Sequence, residues 1–229
     1  MTTASEHLAQ LPFVAGAHIV GSRVLGDAVA DSDLDLVVEL SEVPDLGVLA
    51  AAQAVDLDVI YVLAGELAKP VSSASSVAWG RDGKLHTDRA DLTPVLWEQL
   101  ARYAETVAGV SPTPPVTRAE VVEYCRDNLV SYWEPLLDRA SEVFASRTPG
   151  PVFRDPLLWI AFGPARLWHT IRTGGIVSKT QAVELAAAEW PDLAPLLLDL
   201  ARARRDPSVE LTVEHGVAAL DLGRRVTRS

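Results

Sequence analysis

The sequence predicts an α+β protein in which an N-terminal α/β core, residues 1–110, precedes a C-terminal helical bundle, residues 111–229. Three observations predict it. Short β-branched apolar runs alternate with helix-like stretches in the first half. A Pro-rich segment then interrupts the chain, and every patterned stretch beyond it has helical spacing.

The elements follow in order. A short helix is expected near Ala4–Gln10, then a strand over Ala17–Gly21 and a helix opening at Ser22. The next apolar run, Leu34–Leu40, reads as a strand, Leu46–Ala54 as a helix after Pro44, and Leu57–Leu63 as another strand. Two short runs, Val77–Arg81 and Lys84–Thr87, flank Asp82-Gly83, the dipeptide of a tight hairpin turn. A helix over Leu92–Ala108 closes this half. Pro112, Pro114 and Pro115 stiffen the linker Gly109–Val116. Thr117 with Glu120 forms a capping-box pattern before a helix over Arg118–Leu137. Further helices are expected over Pro156–Thr173, Lys179–Trp190, Ala194–Arg205 and Val209–Arg225. Trp97, Trp133, Trp159, Trp168 and Trp190 fall at helical spacing and are expected in the core.

The chemistry concentrates between residues 18 and 63. Gly21-Ser22 leaves one apolar run, and Asp33 and Asp35 stand at i and i+2 at the start of the next. Alternate residues of a strand share a face, so these two carboxylates project together roughly 6–7 Å apart. Hard oxygen donors so placed suit Mg²⁺ bridged to phosphate oxygens. The Gly21-Ser22 turn, opening a helix, offers N–H groups and a hydroxyl to those phosphates. Asp56 and Asp58 on the following run share a parity, and either could supply a third carboxylate.

Gly-Ser, a spacer, Asp-Leu-Asp on an apolar strand and a later acidic strand together resemble the nucleotidyltransferase superfamily, with its polymerase-beta-like core. Its members transfer a nucleoside monophosphate from a nucleoside triphosphate to an acceptor. In the second half, Arg166-Leu167-Trp168, Gly174-Gly175, Ile176-Val177-Ser178-Lys179 and Glu189-Trp190-Pro191 resemble the helical domain of streptomycin/spectinomycin adenylyltransferases. The resemblance implies that Arg166 and Lys179 reach the ATP phosphates across a cleft between domains, with Arg172 a second candidate. Cations so aimed would stabilise the charge on departing pyrophosphate. It also implies that Asp58, in Leu57-Asp58-Val59, is the catalytic base, although relatives often carry Glu there; a shorter Asp could instead be a third metal ligand. Trp79-Gly80-Arg81 resembles a Trp-x-Arg segment that packs on the acceptor, which makes Trp79 a substrate candidate. Asp155, before the Arg-bearing helix, is the other, in a register that does not match cleanly.

Composition bounds the partners. The net charge of −11, with lysine only at 69, 84 and 179, disfavours a nucleic-acid acceptor and favours a cationic one. No apolar run approaches the ~20 residues that span a bilayer, and the N-terminus lacks the pattern of a signal peptide, so the cytoplasm is the expected compartment. Cys125, the single cysteine, is expected to be a buried structural thiol. The function expected is Mg²⁺-dependent transfer of AMP from ATP to a hydroxyl of an aminoglycoside or aminocyclitol. The alternatives are modification of a partner protein, as toxin–antitoxin members do, or a different small-molecule acceptor.

Overall fold

The computed structural model describes residues 3–145 and 152–228. Contacts divide the chain into two compact units, Met1–Thr117 and Arg118–Ser229.

The first unit is built on one six-stranded sheet in the order β5-β4-β3-β2-β1-β6. After α1 (Ala4–Leu8) the strands β1 (Val14–Ile19), β2 (Leu34–Leu40) and β3 (Leu57–Leu63) form its centre. Strands β2 and β3 run parallel, joined by the crossover that a parallel pair requires, here through α2 (Leu46–Ala51). The remaining pairs are antiparallel. The hairpin β4 (Ser76–Arg81) and β5 (Lys84–His86) turns at Asp82 and Gly83, with φ 51° and 71°. Two successive left-handed residues are what a two-residue hairpin of this kind needs.

Period-2 patterning sends each strand's residues to two different cores. Leu36, Leu40, Leu57, Val59 and Tyr61 pack with Leu49 of α2 on one face. On the other, Val37, Val62 and the partly buried Ile60 pack with Trp97 and Leu100 of α3 (Pro94–Arg102). Trp97 is fully buried and donates its indole N–H to the Lys69 carbonyl at 3.0 Å. Its truncation to Ala would cost about 3–5 kcal/mol.

Two expected helices are corrected here. Leu92–Ala108 is not one helix: α3 ends at Arg102, and β6 (Glu105–Ala108) pairs antiparallel with β1. Thr106 and Val107 are β-branched, and the open edge of β1 offers them a ladder, so pairing wins over helix continuation. The helix expected from Ser22 is a single turn. Its end is closed by bonds from the Asp27 N–H to the Ser22 carbonyl and from the Gly26 N–H to the Arg23 carbonyl. With Gly26 at φ +68°, this is the glycine-terminated closure of a helix, arriving after one turn.

The regular elements of the second unit, among its described residues, are helices joined by short loops. Helix α4 (Arg118–Asn128) continues through a π-helical turn, Leu129–Trp133, into α5 (Glu134–Ala145). Then follow α6 (Arg154–Thr173), α7 (Lys179–Glu189), α8 (Ala194–Arg205) and α9 (Val213–Arg228). The last begins four residues later than the Val209 start read from the sequence. Leu137, Leu157, Leu197, Leu200 and Leu222 are wholly buried in one core. Trp133 and Trp168 join that core, but Trp159 is 49% exposed, against the expectation, and gives its indole N–H to the Tyr132 hydroxyl. Cys125 is buried, and burial pushes its thiol up to about 12, which removes it as a nucleophile at neutral pH. Among the described residues no helix is long and apolar enough to cross a membrane.

Candidate active site

Strand register assembles the site. In the parallel β2–β3 ladder Asp35 stands directly opposite Asp58. In the antiparallel β3–β4 ladder Val59 pairs with Gly80, which places Arg81 beside Asp58 one step on. Asp35, Asp58 and Arg81 thus form a row across three strands, and residues opposite one another on neighbouring strands share a face. Asp33, two residues before Asp35, belongs to the same face. Asp56 lies in the turn before β3, outside this row.

Arg81, to which the motif reading gave no role of its own, is the partner of Asp58 in this row. Its Nη2 and Nε approach Asp58 Oδ2 at 2.8 and 2.9 Å. Both bonds fall on one carboxylate oxygen, which leaves Oδ1 of Asp58 for other work. The hairpin turn at Asp82-Gly83 signals only that Arg81 ends β4; its place at the level of Asp58 comes from the β3–β4 register.

The turn after β1 closes the site from the other side. A Cβ added to Gly21 would lie 2.0 Å from Asp35 Oδ2, and Gly21 has φ +72°. Only glycine lets the backbone approach the carboxylate this closely. The Gly21 N–H, expected to face phosphate, is instead given to Gln99 Oε1 of α3 at 2.9 Å, which ties the turn to the helix behind it.

Electrostatically the cluster is short of positive charge. Desolvation, then the carboxylates of Asp58 and Asp82, push Asp33 above the usual carboxylate range against the pull of Arg81. Among the described residues no three His, Cys, Asp or Glu side chains gather as a metal-ligand group. With one Asp58 oxygen held by Arg81, the donors that fit a divalent cation are Asp33 and Asp35. They are hard oxygens in a crowd of carboxylates whose charge a cation would offset, the remaining positions falling to water and phosphate, as Mg²⁺ prefers.

Trp79 shares the Arg81 face of β4. Its ring stacks on His86 at 4.0 Å between centroids with 14° between planes, and its indole N–H donates to Asp88 Oδ1. The Arg81 guanidinium lies 5.9 Å from the same ring. A pocket of about 410 Å³ lined by Ser72, Ser75, Ser76, Thr87 and Asp88 opens at the other end of β4, away from the carboxylates.

The remaining candidates belong to the helical unit. Arg166 is half-buried in the middle of α6, and Lys179 is the first residue of α7, behind the N-cap Ser178. A cation at a helix N-terminus opposes the helix dipole, so Lys179 is not placed for helix stability. Arg172 forms an ion pair with Glu189 at 2.6 Å and lies over the Trp168 ring, which gives it a structural explanation. Asp155 is exposed in the first turn of α6, where an acid suits the dipole.

Comparison with known proteins bears on the segment and on the fold. Residues 2–71, which carry Gly21, Ser22, Asp33, Asp35 and Asp58, match the family described as nucleotidyltransferase domain. No curated protein matches the chain by sequence. Among solved structures the chain is similar to spectinomycin adenyltransferase AAD(9) from Enterococcus faecialis, solved with ATP and spectinomycin. The TM-score is 0.68 at 15% identity, over 96% of this chain and 94% of that one. The segment that bears the carboxylates therefore matches a nucleotidyltransferase domain by sequence, and the chain as a whole shares the fold of that solved adenyltransferase.

Proposed function

We propose that this protein transfers AMP from ATP to a hydroxyl of a cationic aminoglycoside or aminocyclitol, releasing pyrophosphate, in the cytoplasm. The observation that carries the reading is the row of Asp35, Asp58 and Arg81 with Asp33 beside it, the three carboxylates falling inside the segment that matches nucleotidyltransferases. Residues 1–110 would do the nucleotidyl chemistry, and residues 111–229 would supply cations and acceptor contacts.

Asp33 and Asp35 would hold Mg²⁺, which when bound supplies charge neutralisation to the triphosphate and orients it for in-line displacement. The acceptor oxygen forms the new bond to the α-phosphorus, and the bond from that phosphorus to the bridging oxygen of pyrophosphate breaks. Asp58 takes the acceptor's proton. Because Arg81 holds Oδ2, Oδ1 is the oxygen that receives it, and the guanidinium keeps the carboxylate pointed along the row. Arg166 and Lys179 would meet the charge that accumulates on pyrophosphate. Trp79 and Asp155 remain the candidates for reading the acceptor. The acidic net charge of −11 supports a cationic one.

The test is pyrophosphate release from Mg-ATP in the presence of streptomycin, spectinomycin and other aminoglycosides, followed by mass spectrometry of the drug. The expected product is heavier by one adenylyl group. Release with no acceptor in this class would leave nucleotidyl transfer standing and remove the acceptor assignment.

A further inference from the structure

The turn between Gly21 and Gly26 contains a guanidinium that the protein itself leaves unanswered. Nε and Nη2 of Arg23 are shielded from solvent and have no hydrogen-bond partner among the described residues. An arginine carries its charge at any accessible pH, and a buried cationic donor without an acceptor is costly. The next arginine in the chain, Arg81, has a visible task on Asp58. Arg23 has none, in a turn whose backbone is pressed against the Asp35 carboxylate.

From this geometry we infer that Arg23 is a phosphate ligand of the N-terminal unit, its Nε and Nη2 edge turning from its shielded position to oxygens of the triphosphate chain when the ligand enters. The inference rests on the nucleotidyltransferase reading and adds to it a residue that neither the motif nor the strand register singles out. A triphosphate entering beside Asp33, Asp35 and Asp58 meets strong negative charge, and Arg81 is already committed to Asp58. The Gly21 N–H is likewise committed to Gln99. Arg23 is two residues from Gly21, and its planar fork matches the geometry of phosphate oxygens. Anion binding would satisfy the two orphaned donors and offset part of the repulsion from the carboxylates.

The experiment measures binding of Mg-ATP and of inorganic tripolyphosphate by calorimetry, and the melting temperature of the ligand-free protein, for the wild type, Arg23→Gln, Arg23→Lys and Asp35→Asn. Arg23→Gln is expected to weaken both ligands about ten- to a hundredfold, with Arg23→Lys recovering part of the loss. The ligand-free Arg23→Gln protein should melt no lower than wild type, because it loses an unpaired buried cation and no bond. If Arg23→Gln binds both ligands like wild type while Asp35→Asn loses Mg-ATP, the inference is overturned and the nucleotide reading stands. A lowered melting temperature with unchanged affinity overturns it equally and gives Arg23 a packing role. If wild type binds neither ligand, the nucleotidyltransferase reading itself fails.

Discussion

The turns at Gly21 and Gly174 have nearly the same backbone, φ +72° and +71°, yet what excludes a side chain differs between them. At Gly21 the obstacle is the Asp35 carboxylate, 2.0 Å from where a Cβ would sit. At Gly174 it is the Arg118 side chain, with Nε at 2.3 Å, and the glycine ends α6 by giving its N–H to the Thr170 carbonyl. In sequence both are glycine turns beside residues nominated for phosphate. In the fold, the first brings backbone to a reactive group and the second closes a helix. A glycine's neighbours, rather than its conformation, separate a site from a cap.

The largest effects should come at the carboxylates that crowd the first turn. Asp33→Asn or Asp35→Asn is expected to abolish turnover with the circular dichroism spectrum and melting curve close to wild type. Asp58→Asn should lower kcat by about 10²–10⁴ while Mg-ATP affinity holds. Asp56→Asn should retain more activity, because Asp58 and not Asp56 stands opposite Asp35. Near-native pyrophosphate release from Asp35→Asn would sink the site and, with it, the reason given for Gly21.

The glycine pair tests the comparison itself. Gly21→Ala should cost about 10²-fold in kcat, since a displacement of about 1 Å at such a site has that effect. Gly174→Ala should leave turnover within a small factor and cost about 1–2 kcal/mol of stability, the penalty of a left-handed alanine. Arg118 is a flexible side chain and can swing aside, whereas Asp35 cannot move without leaving the row. Equal loss of kcat in the two variants would erase the distinction.

What was legible in the sequence follows the same division. Strands β2 and β3 match their expected bounds because alternating apolar residues state both length and facing. From that parity Asp33 shares a face with Asp35, and Asp56 with Asp58; that Asp35 and Asp58 stand together comes from the β2–β3 register. Arg81 was not legible as the partner of Asp58, because the pairing depends on strand order and register, which no local pattern encodes. Strand β6 was missed for a related reason: Glu105–Ala108 gains its conformation from the edge of β1, 86 positions away at the Ile19–Glu105 pair, and its own residues follow a helix without a breaker. The helix expected at Ser22 stopped after one turn at Gly26, whose role as a terminator shows only once its φ is known. In the helical unit, Trp159 obeys the spacing of a core residue but is half exposed, lying against Tyr132 and Trp133 of a π-helical turn that residue types do not reveal.

The smallest expected effect concerns a buried base of the sheet unit that takes no part in the row. His7 is fully buried. Its Nδ1 lies 3.1 Å from the Ala52 carbonyl, which can only accept, so Nδ1 carries the proton. Its Nε2, 3.0 Å from the Tyr61 hydroxyl, then accepts, and Gln53 donates to that hydroxyl at 2.9 Å. Burial pushes His7 below the ordinary histidine value, with the Ala52 carbonyl pulling weakly the other way. The unfolded chain therefore binds a proton that the folded one refuses as pH falls below about 6.5. Stability tied to His7 is intact above that value and is lost as pH drops toward the depressed folded value, giving urea midpoints that rise with pH across this window. His7→Gln should flatten that slope while leaving pyrophosphate release unchanged, because α1 touches the sheet on the face opposite the carboxylates. A slope that survives the substitution would assign the pH dependence to another group, and a loss of turnover would join the two faces of the sheet that the row keeps apart.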